Sequence, residues 1–306
     1  MHNIISKRLI AAALAAVLAA GTFTAAAEAN SAPQAENLEI TTCRDVSVGG
    51  QLNAVDPDGD TVQFHVTTQP VKGTVELQEN GQFVYTPAAG KKGKDYFGYK
   101  ASDALGNVSQ EGTVIITISR RKAAVTYSDM AGSGEYLDAV TLAENGIFTG
   151  EKVGSVWLFE PERQVTRGEF LSMCMELADV KLLSGVVSTG FLDDSDIPGW
   201  EKPYVSTALM NGDVCGCAVS GGAEFESSRP ISRAEAAVML NNISGFTDVS
   251  VTKSAAVPDW AAQSVANLSS CSVIRDGVSL TDTLSRAQAA RMLVNALNAI
   301  KSQKNK

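Results

Sequence analysis

A five-residue motif with a central arginine occurs three times in the C-terminal half of this 306-residue chain. The copies read VTRGE at 165–169, ISRAE at 231–235 and LSRAQ at 284–288, and each precedes an apolar-striped segment. The hydroxyl residue and the Glu or Gln predict a helix capping box. N-caps are expected at Thr166, Ser232 and Ser285, with their N3 partners at Glu169, Glu235 and Gln288.

The capping box leaves the arginines unexplained. Arg167, Arg233 and Arg286 occupy the first helical position, where the helix dipole disfavours a cation. One explanation is an internal acidic partner. The other is an external anion, held by the guanidinium and by free N–H groups at the helix N-terminus. Both explanations remain open at this point.

Further signals accompany each copy of the motif. Each copy opens with an aromatic residue followed two positions later by an aspartate, and a second aromatic residue begins the first helix. Apolar residues three and four apart then predict two helices per copy, which bury their apolar faces against one another. The aspartates are Asp129, Asp193 and Asp248, and the helix aromatics are Tyr136, Trp200 and Trp260. For these aromatics, core packing is the commoner role and a ring face for a ligand is the alternative.

These motifs resemble S-layer homology units, whose pattern is an F-x-D start, a Trp-led helix, a GI-x-G turn, an F-x-P loop and an ITRAE helix start. The first copy has GIFTG at 146–150 and FEP at 159–161, and the second has FESSRP at 225–230. The third has lost the F-x-P loop and ends in Gln288. The resemblance implies an all-α, pseudo-threefold bundle with units at 125–184, 185–245 and 246–301, followed by a tail at 302–306.

The resemblance also implies a function. The protein would be secreted and held non-covalently to the cell wall by an acidic, often pyruvylated, secondary wall polysaccharide bound in grooves between units. The arginines would contact its carboxylate, the aspartates would accept sugar hydroxyls, and Tyr136, Trp200 and Trp260 would give a ring face or shape the groove. Because the third loop is the most altered, its groove is expected to be weakest or closed. A surface lattice or other surface proteins are further expected partners.

The first half of the chain has a different pattern. Between 41 and 119, segments such as TVQFHV and GTVIITIS alternate apolar and polar residues between turn signals, which predicts an all-β sandwich of immunoglobulin type. Linkers are expected at 30–40 and 120–124. The sandwich would be a spacer or an adhesion module.

One loop of this half has carboxylates at alternate positions around a Gly turn, at Asp56, Asp58 and Asp60. It resembles the VDPDGD turn of bacterial immunoglobulin-like and cadherin-like modules, in which Asp103 would lie on a later strand. The loop is either a calcium site or an ordinary Asp/Gly turn. With calcium bound, the sandwich would be the active part, in adhesion or carbohydrate binding.

Composition narrows the possible classes of function and the possible localisation of the protein. The net charge of −9 disfavours general attraction to nucleic acid. Residues 1–29 have the basic start, apolar run and small residues of a secretory leader, and no later segment is long enough to insert in a membrane. The five cysteines cannot all form disulfides within one chain. With His65 as the one histidine beyond the leader and no partner constellation around it, we expect no catalytic activity.

Overall fold

A computed structural model of the protein describes residues 30–120, 125–251, 256–275 and 277–304. The predicted leader at 1–29 and residues 121–124 of the predicted linker lie outside these ranges. Within them, no helix has the length and apolar character needed to cross a membrane.

Residues 30–120 form a β-sandwich. One sheet has four strands in the order β2-β9-β8-β5, with β2 parallel to β9, and the other has three in the order β3-β7-β6. A short ribbon pairs β1 with β4. The strands are β1 (Gln34–Ala35), β2 (Leu38–Cys43), β3 (Val48–Gln51), β4 (Ala54–Val55), β5 (Gln63–Thr68), β6 (Gly73–Leu77), β7 (Gln82–Pro87), β8 (Gly93–Ser102) and β9 (Gly112–Ser119). The expected linker at 30–40 is therefore wrong, because it contains β1 and the beginning of β2.

Both sheets contribute to one apolar core. Alternate residues of β9, among them Val114 and Ile116, are fully buried. They share this core with aromatic residues of both sheets. The rings of Phe83 in β7 and Phe97 in β8 pack edge to face, with their centroids 5.2 Å apart. The alternating pattern thus correctly predicted a sandwich.

The second half is mainly helical. The described helices are α1 (Tyr136–Glu144), α2 (Arg167–Leu177), α3 (Lys202–Asn211), α4 (Arg233–Ser244), α5 (Ala262–Ser270) and α6 (Arg286–Lys304). Two hairpins, β10 (Glu151–Val153) with β11 (Val156–Leu158) and β12 (Cys217–Val219) with β13 (Gly222–Glu224), separate the helices of the first two copies. The expectation of an all-α half is wrong in this respect. The expected tail is also helical as far as Lys304.

The three motif copies meet in a ring of backbone hydrogen bonds. The Val165 N–H donates to the Leu284 carbonyl, the Leu284 N–H to that of Ile231, and the Ile231 N–H to that of Val165, each at 3.0 Å. All three residues are buried. The copies are therefore arranged cyclically, each in contact with the other two.

The sandwich and the helical half are in direct contact. The Gly49 N–H donates to the Gly134 carbonyl at 3.0 Å, and the Ser47 hydroxyl donates to the Ser133 carbonyl at 2.8 Å. A Cβ on Gly134 would lie only 3.2 Å from the Gly49 Cα atom, so the close approach depends on glycine. Val46 of the sandwich is buried in the core of the helical half.

Candidate functional site

All three predicted capping boxes are present. Side-chain oxygens of Thr166 and Ser232 accept the backbone N–H of Glu169 and Glu235, and each glutamate accepts the N–H of its N-cap. In the third copy, the Ser285 hydroxyl accepts the Gln288 N–H at 3.3 Å, and Gln288 Oε1 accepts the Ser285 N–H at 3.1 Å. Gln288 therefore performs the capping role without a charge.

The helix N-termini do not offer free N–H groups. The first two N–H groups of α2, α4 and α6 donate to loop carbonyls of another copy at 2.8–3.0 Å. The expectation of an anion site built on free helix N–H groups is therefore wrong, because contact between copies has satisfied them. The acceptor carbonyls belong to Arg229 and Ser227 for α2, Asp282 and Leu280 for α4, and Arg163 and Pro161 for α6.

Three grooves run between neighbouring copies, and each is named here after its arginine. One copy contributes its turn and its second helix to each groove. The next copy contributes a residue at or just before its first helix, and the preceding copy contributes its arginine. The Arg286 groove has about 480 Å³ and includes Trp200, whereas the Arg167 groove has about 350 Å³ and includes Trp260. The Arg233 groove has about 210 Å³ and includes Glu135.

In the Arg167 groove the arginine is paired internally. Its side chain is 8% exposed, Nε donates to the Phe225 carbonyl at 3.0 Å, and Nη1 lies 3.3 Å from Glu235 Oε1. Burial raises the pKa of Glu235, but hydrogen bonds from Arg229 and Ser232 and the charge of Arg167 outweigh it and hold the pKa at about 2. The Glu235 carboxylate is thus ionised and neutralises Arg167.

In the Arg286 groove the arginine is also paired internally. The Arg286 side chain is 2% exposed and donates to the Phe159 carbonyl at 2.8 Å. Its Nη atoms lie 3.1 Å from Glu160 and 3.8 Å from Glu169. Its Nε is buried without a hydrogen-bond partner among the described residues. A ligand here would have to displace these carboxylates.

The Arg233 groove differs from the other two. Arg233 is half-buried, donates to the Ser279 carbonyl, and has no acidic partner in the described part of the chain. The reason is Gln288, which stands where the other copies have Glu169 and Glu235. Because its Oε1 serves the capping box, its remaining polar group is an NH₂, which cannot accept a hydrogen bond from a guanidinium.

Two more arginines line the Arg233 groove. Arg275 is exposed and makes no ion pair with any described residue. Arg291 forms an ion pair through Nε with Asp138 and forms no ion pair with any other described residue. Burial raises the pKa of Asp138, although the charge of Arg291 opposes this.

The grooves therefore differ in charge. The described lining of the Arg233 groove has three arginines and one acid, Glu135. The Arg167 groove has one arginine against Asp213 and Glu235, and the Arg286 groove has one against three glutamates, Glu151, Glu169 and Glu176. By its lining residues the Arg233 groove is cationic and the other two are acidic. Asp138, Arg229 and Arg163 pair with lining residues from outside the grooves and reduce this difference.

The three aspartates lie apart from the groove linings. Asp129 accepts the N–H groups of Phe159 and Glu160, and Asp193 accepts those of Phe225 and Glu226 at 2.9 and 2.8 Å. They therefore fix the segment that follows each hairpin. Asp248 instead accepts from the Asn267 side chain at 3.0 Å. None of the three lines a groove, so the implied role as sugar-hydroxyl acceptors has no support in this arrangement.

The aromatic residues divide into two kinds. Trp200 and Trp260 are 55% and 61% exposed at groove edges, so core packing is the wrong role for them. Tyr136 is 3% exposed, and its ring centroid lies 6.2 Å from that of Tyr127, so it offers no ring face to a ligand.

Tyr136 does not correspond to Trp200 in position. Trp200 precedes the turn glycine Gly212 by twelve residues. The residue twelve before Gly146 is Gly134, against which the sandwich packs.

Asp103, one of four predicted calcium ligands, is buried and engaged with protein donors. Oδ1 accepts the N–H groups of Leu105 and Asn107, and Oδ2 accepts side-chain amides of Asn107 and Asn30. Burial raises the pKa of Asp103, but these hydrogen bonds outweigh it and lower the pKa. A cation would have to replace several of them.

The other three predicted ligands form a turn. Asp56 Oδ1 accepts the N–H groups of Asp58 and Asp60 at 2.9 and 3.2 Å, and Asp58 Oδ2 accepts that of Ser31 at 2.6 Å. Asp56 Oδ2 is buried and without a hydrogen-bond partner in the described structure. Among the described residues no three or more His, Cys, Asp or Glu are grouped to hold a metal ion. As arranged, Asp56 and Asp58 accept backbone N–H groups, as the residues of an Asp/Gly turn do, and calcium binding stays a prediction.

Sequence reasoning missed the two hairpins and the charge difference between grooves. The hairpins had a local signal, since glycines stand at their turns, with Gly154 and Gly221 at φ 62° and 95°. The charge difference was visible as Gln288, which sequence reasoning treated only as degeneration of the motif. All five cysteines, all of which are described, are free.

The β half matches a known family. Residues 30–120 match the family model described as "Bacterial cadherin-like domain", whereas no S-layer homology domain is detected by the family models. The chain is 30% identical over 154 residues to the "Surface-layer 125 kDa protein" of Lysinibacillus sphaericus, covering 45% of this chain and 12% of that protein. This chain thus spans a small part of that relative's length.

Solved structures resemble one part of the chain. The human protocadherin-24 EC1-2 structure is 17% identical with a TM-score of 0.25, covering 30% of this chain and 45% of its own. The PKD domain of an M14-like peptidase from a Thermoplasmatales archaeon is 20% identical with a TM-score of 0.23, covering 30% of this chain and all of its own. Likenesses this low carry no conclusion about function.

Proposed function

We propose that this is a secreted cell-surface protein whose helical half consists of three S-layer homology units that bind an acidic wall polysaccharide non-covalently. The cadherin-like match and the surface-layer relative support a cell-surface protein. The three motif copies and their cyclic arrangement support the assignment of the helical half. The protein is a binding protein and not an enzyme.

The observation that carries the proposal is that Arg233 has no acidic partner among the described residues. The region from 122 to 306 has 15 Lys and Arg against 22 Asp and Glu, so an acidic polymer is repelled at long range. Salt at physiological strength screens this repulsion beyond about 8 Å. Binding then depends on a local cluster of cations. Arg233, Arg275 and Arg291 form the cationic groove, and we assign the polymer to it.

The chemistry follows from the guanidinium. A guanidinium presents paired N–H donors in a planar fork, which matches a carboxylate. Arg233 donates to one carbonyl and pairs with no carboxylate among the described residues. Its other N–H groups can therefore donate to a carboxylate of the polymer. Arg275, exposed in the same groove, can meet a second anionic group.

This assignment reverses the expectation for the third loop. The altered third copy was expected to give the weakest groove, but the loss of its glutamate leaves the groove cationic. Trp200 and Trp260 offer ring faces in the other two grooves. Lining acids outnumber lining arginines there, so these grooves disfavour an acidic polymer. The calcium-dependent alternative for the sandwich has no comparable support, because Asp103 is fully hydrogen-bonded.

A wall pull-down tests the proposal. The full mature chain is incubated with cell walls of the source organism before and after the acidic polysaccharide is stripped. We expect retention only on unstripped walls. For Arg233→Gln we expect binding weakened by about tenfold to a hundredfold, since a hydrogen bond to a charged group contributes about 1.5–3 kcal/mol.

Arg44→Gln is the matched control, because Arg44 is an exposed arginine of the sandwich outside the groove. It should bind as the wild type does. Equal retention on stripped walls would contradict the polymer, and wild-type retention of Arg233→Gln would contradict the assigned groove.

A further inference from the structure

A second cavity adjoins the Arg233 groove at the junction of the two halves. This interdomain cleft has about 350 Å³ and shares Glu135, Arg275 and Arg291 with the groove. Its other wall belongs to the sandwich, with Gln51, Gln78, Gln82 and backbone of 49–50 among the lining residues. The groove and the cleft therefore form neighbouring parts of one surface.

The cleft has the polar groups that a charged glycan needs. Gln78 and Gln82 are exposed, and their side chains make no hydrogen bond with described residues. Gln51 Nε2 donates to the carbonyls of Leu52 and Asn80, which holds the side chain in place and leaves its Oε1 available as an acceptor. Amides can both donate to and accept from sugar hydroxyls, and the shared arginines can pair with carboxylates.

The position of the sandwich is fixed where the groove meets the cleft. Gly134 stands where the other copies have Trp200 and Trp260, and its carbonyl accepts the Gly49 N–H. The absence of a side chain there lets the sandwich approach to backbone contact. The sandwich thus replaces the tryptophan at this one groove and adds its glutamines to the binding surface.

We infer that the interdomain cleft is a second subsite for the acidic polysaccharide, so that the polymer extends from the Arg233 groove across the domain junction and contacts the cadherin-like domain. This inference rests on the proposed function. It makes the sandwich a part of the binding site and not only a spacer. It also commits the cleft to a glycan with carboxylates and free hydroxyls.

Calorimetric titration of the full mature chain with the acidic polysaccharide released from cell walls tests the inference. The variant Gln78→Ala/Gln82→Ala removes two exposed side chains without disturbing a described hydrogen bond of either. We expect about a three- to tenfold loss of affinity, as for one or two hydrogen bonds. The control Gln63→Ala removes an exposed glutamine of the other sheet and should change nothing.

The outcomes separate the two proposals. If the wild type binds none of the released polysaccharide, the proposed function fails, and the inference fails with it. If the wild type binds, Arg233→Gln weakens binding and the glutamine double variant binds as the wild type does, the cleft inference alone is overturned. A weaker double variant with an unchanged Gln63→Ala supports the cleft as a subsite.

Discussion

A carboxylate at position 288 should neutralise the Arg233 groove, which is cationic by its described lining. In Gln288→Glu, one carboxylate oxygen can keep accepting the Ser285 N–H, as Glu235 does for Ser232. The other would lie near Arg233, by analogy with the 3.3 Å between Arg167 and Glu235. The variant therefore adds an internal competitor for the arginine assigned to the polymer.

The size of the effect follows from the pair it creates. Two unit charges 4 Å apart interact by about 4 kcal/mol at an effective dielectric constant of 20. Arg233 is only half-buried, and exposed pairs contribute about 0.2–1 kcal/mol. Between these limits we expect a loss of about 1–2 kcal/mol in binding, which is about five- to thirtyfold in Kd.

The assay is a calorimetric titration with the released acidic polysaccharide, together with thermal unfolding. Folding should not suffer, because an acid in the first turn of α6 is favoured by about 0.3–1 kcal/mol. The matched variant is Glu235→Gln, which should keep its capping box and release Arg167 from its internal ion pair, so that Arg167 becomes available for binding. Wild-type affinity in Gln288→Glu, with the protein folded, would refute the reasoning.

Three further predictions follow from the contacts. The Glu235 pKa of about 2 lies below its unfolded value of about 4.3, so the stability that it contributes is present above about pH 4.3 and is lost as the pH falls towards 2. Denaturant unfolding across that range should show a smaller pH dependence in Glu235→Gln, and an unchanged dependence would contradict the ion pairs. Asp193→Ala should lower the unfolding free energy by about 2 kcal/mol and Tm by about 4–8 °C, because two backbone N–H groups lose a charged acceptor; an unchanged Tm would count against this role. Calcium at millimolar concentration should leave Tm unchanged, since Asp103 has no free oxygen, and a calcium-dependent rise in Tm that Asp58→Asn abolishes would overturn this.

Features encoded over a few residues could be predicted from the sequence. Capping boxes depend on residues three apart, and Thr166 with Glu169 identifies one locally. Strand alternation likewise predicted the sandwich, because its period of two reports burial directly, as in β9.

The site was harder to predict, because its charges come from separate copies. Whether Arg167 is free depends on Glu235, and whether Arg286 is free depends on Glu160, which lies 126 residues away. No local pattern reports such pairs. Tyr136 was wrongly matched to Trp200 for a related reason. Matching aromatic residues pairs these two, whereas counting back from the turn glycine pairs Trp200 with Gly134.

The most direct test of the central claim is a crystal structure of the full mature chain with a fragment of the acidic wall polysaccharide bound. The account predicts a carboxylate of the fragment about 2.7–2.9 Å from the guanidinium of Arg233, with the chain continuing towards the interdomain cleft. A fragment bound beside Trp200 or Trp260, with no contact to Arg233, would contradict it.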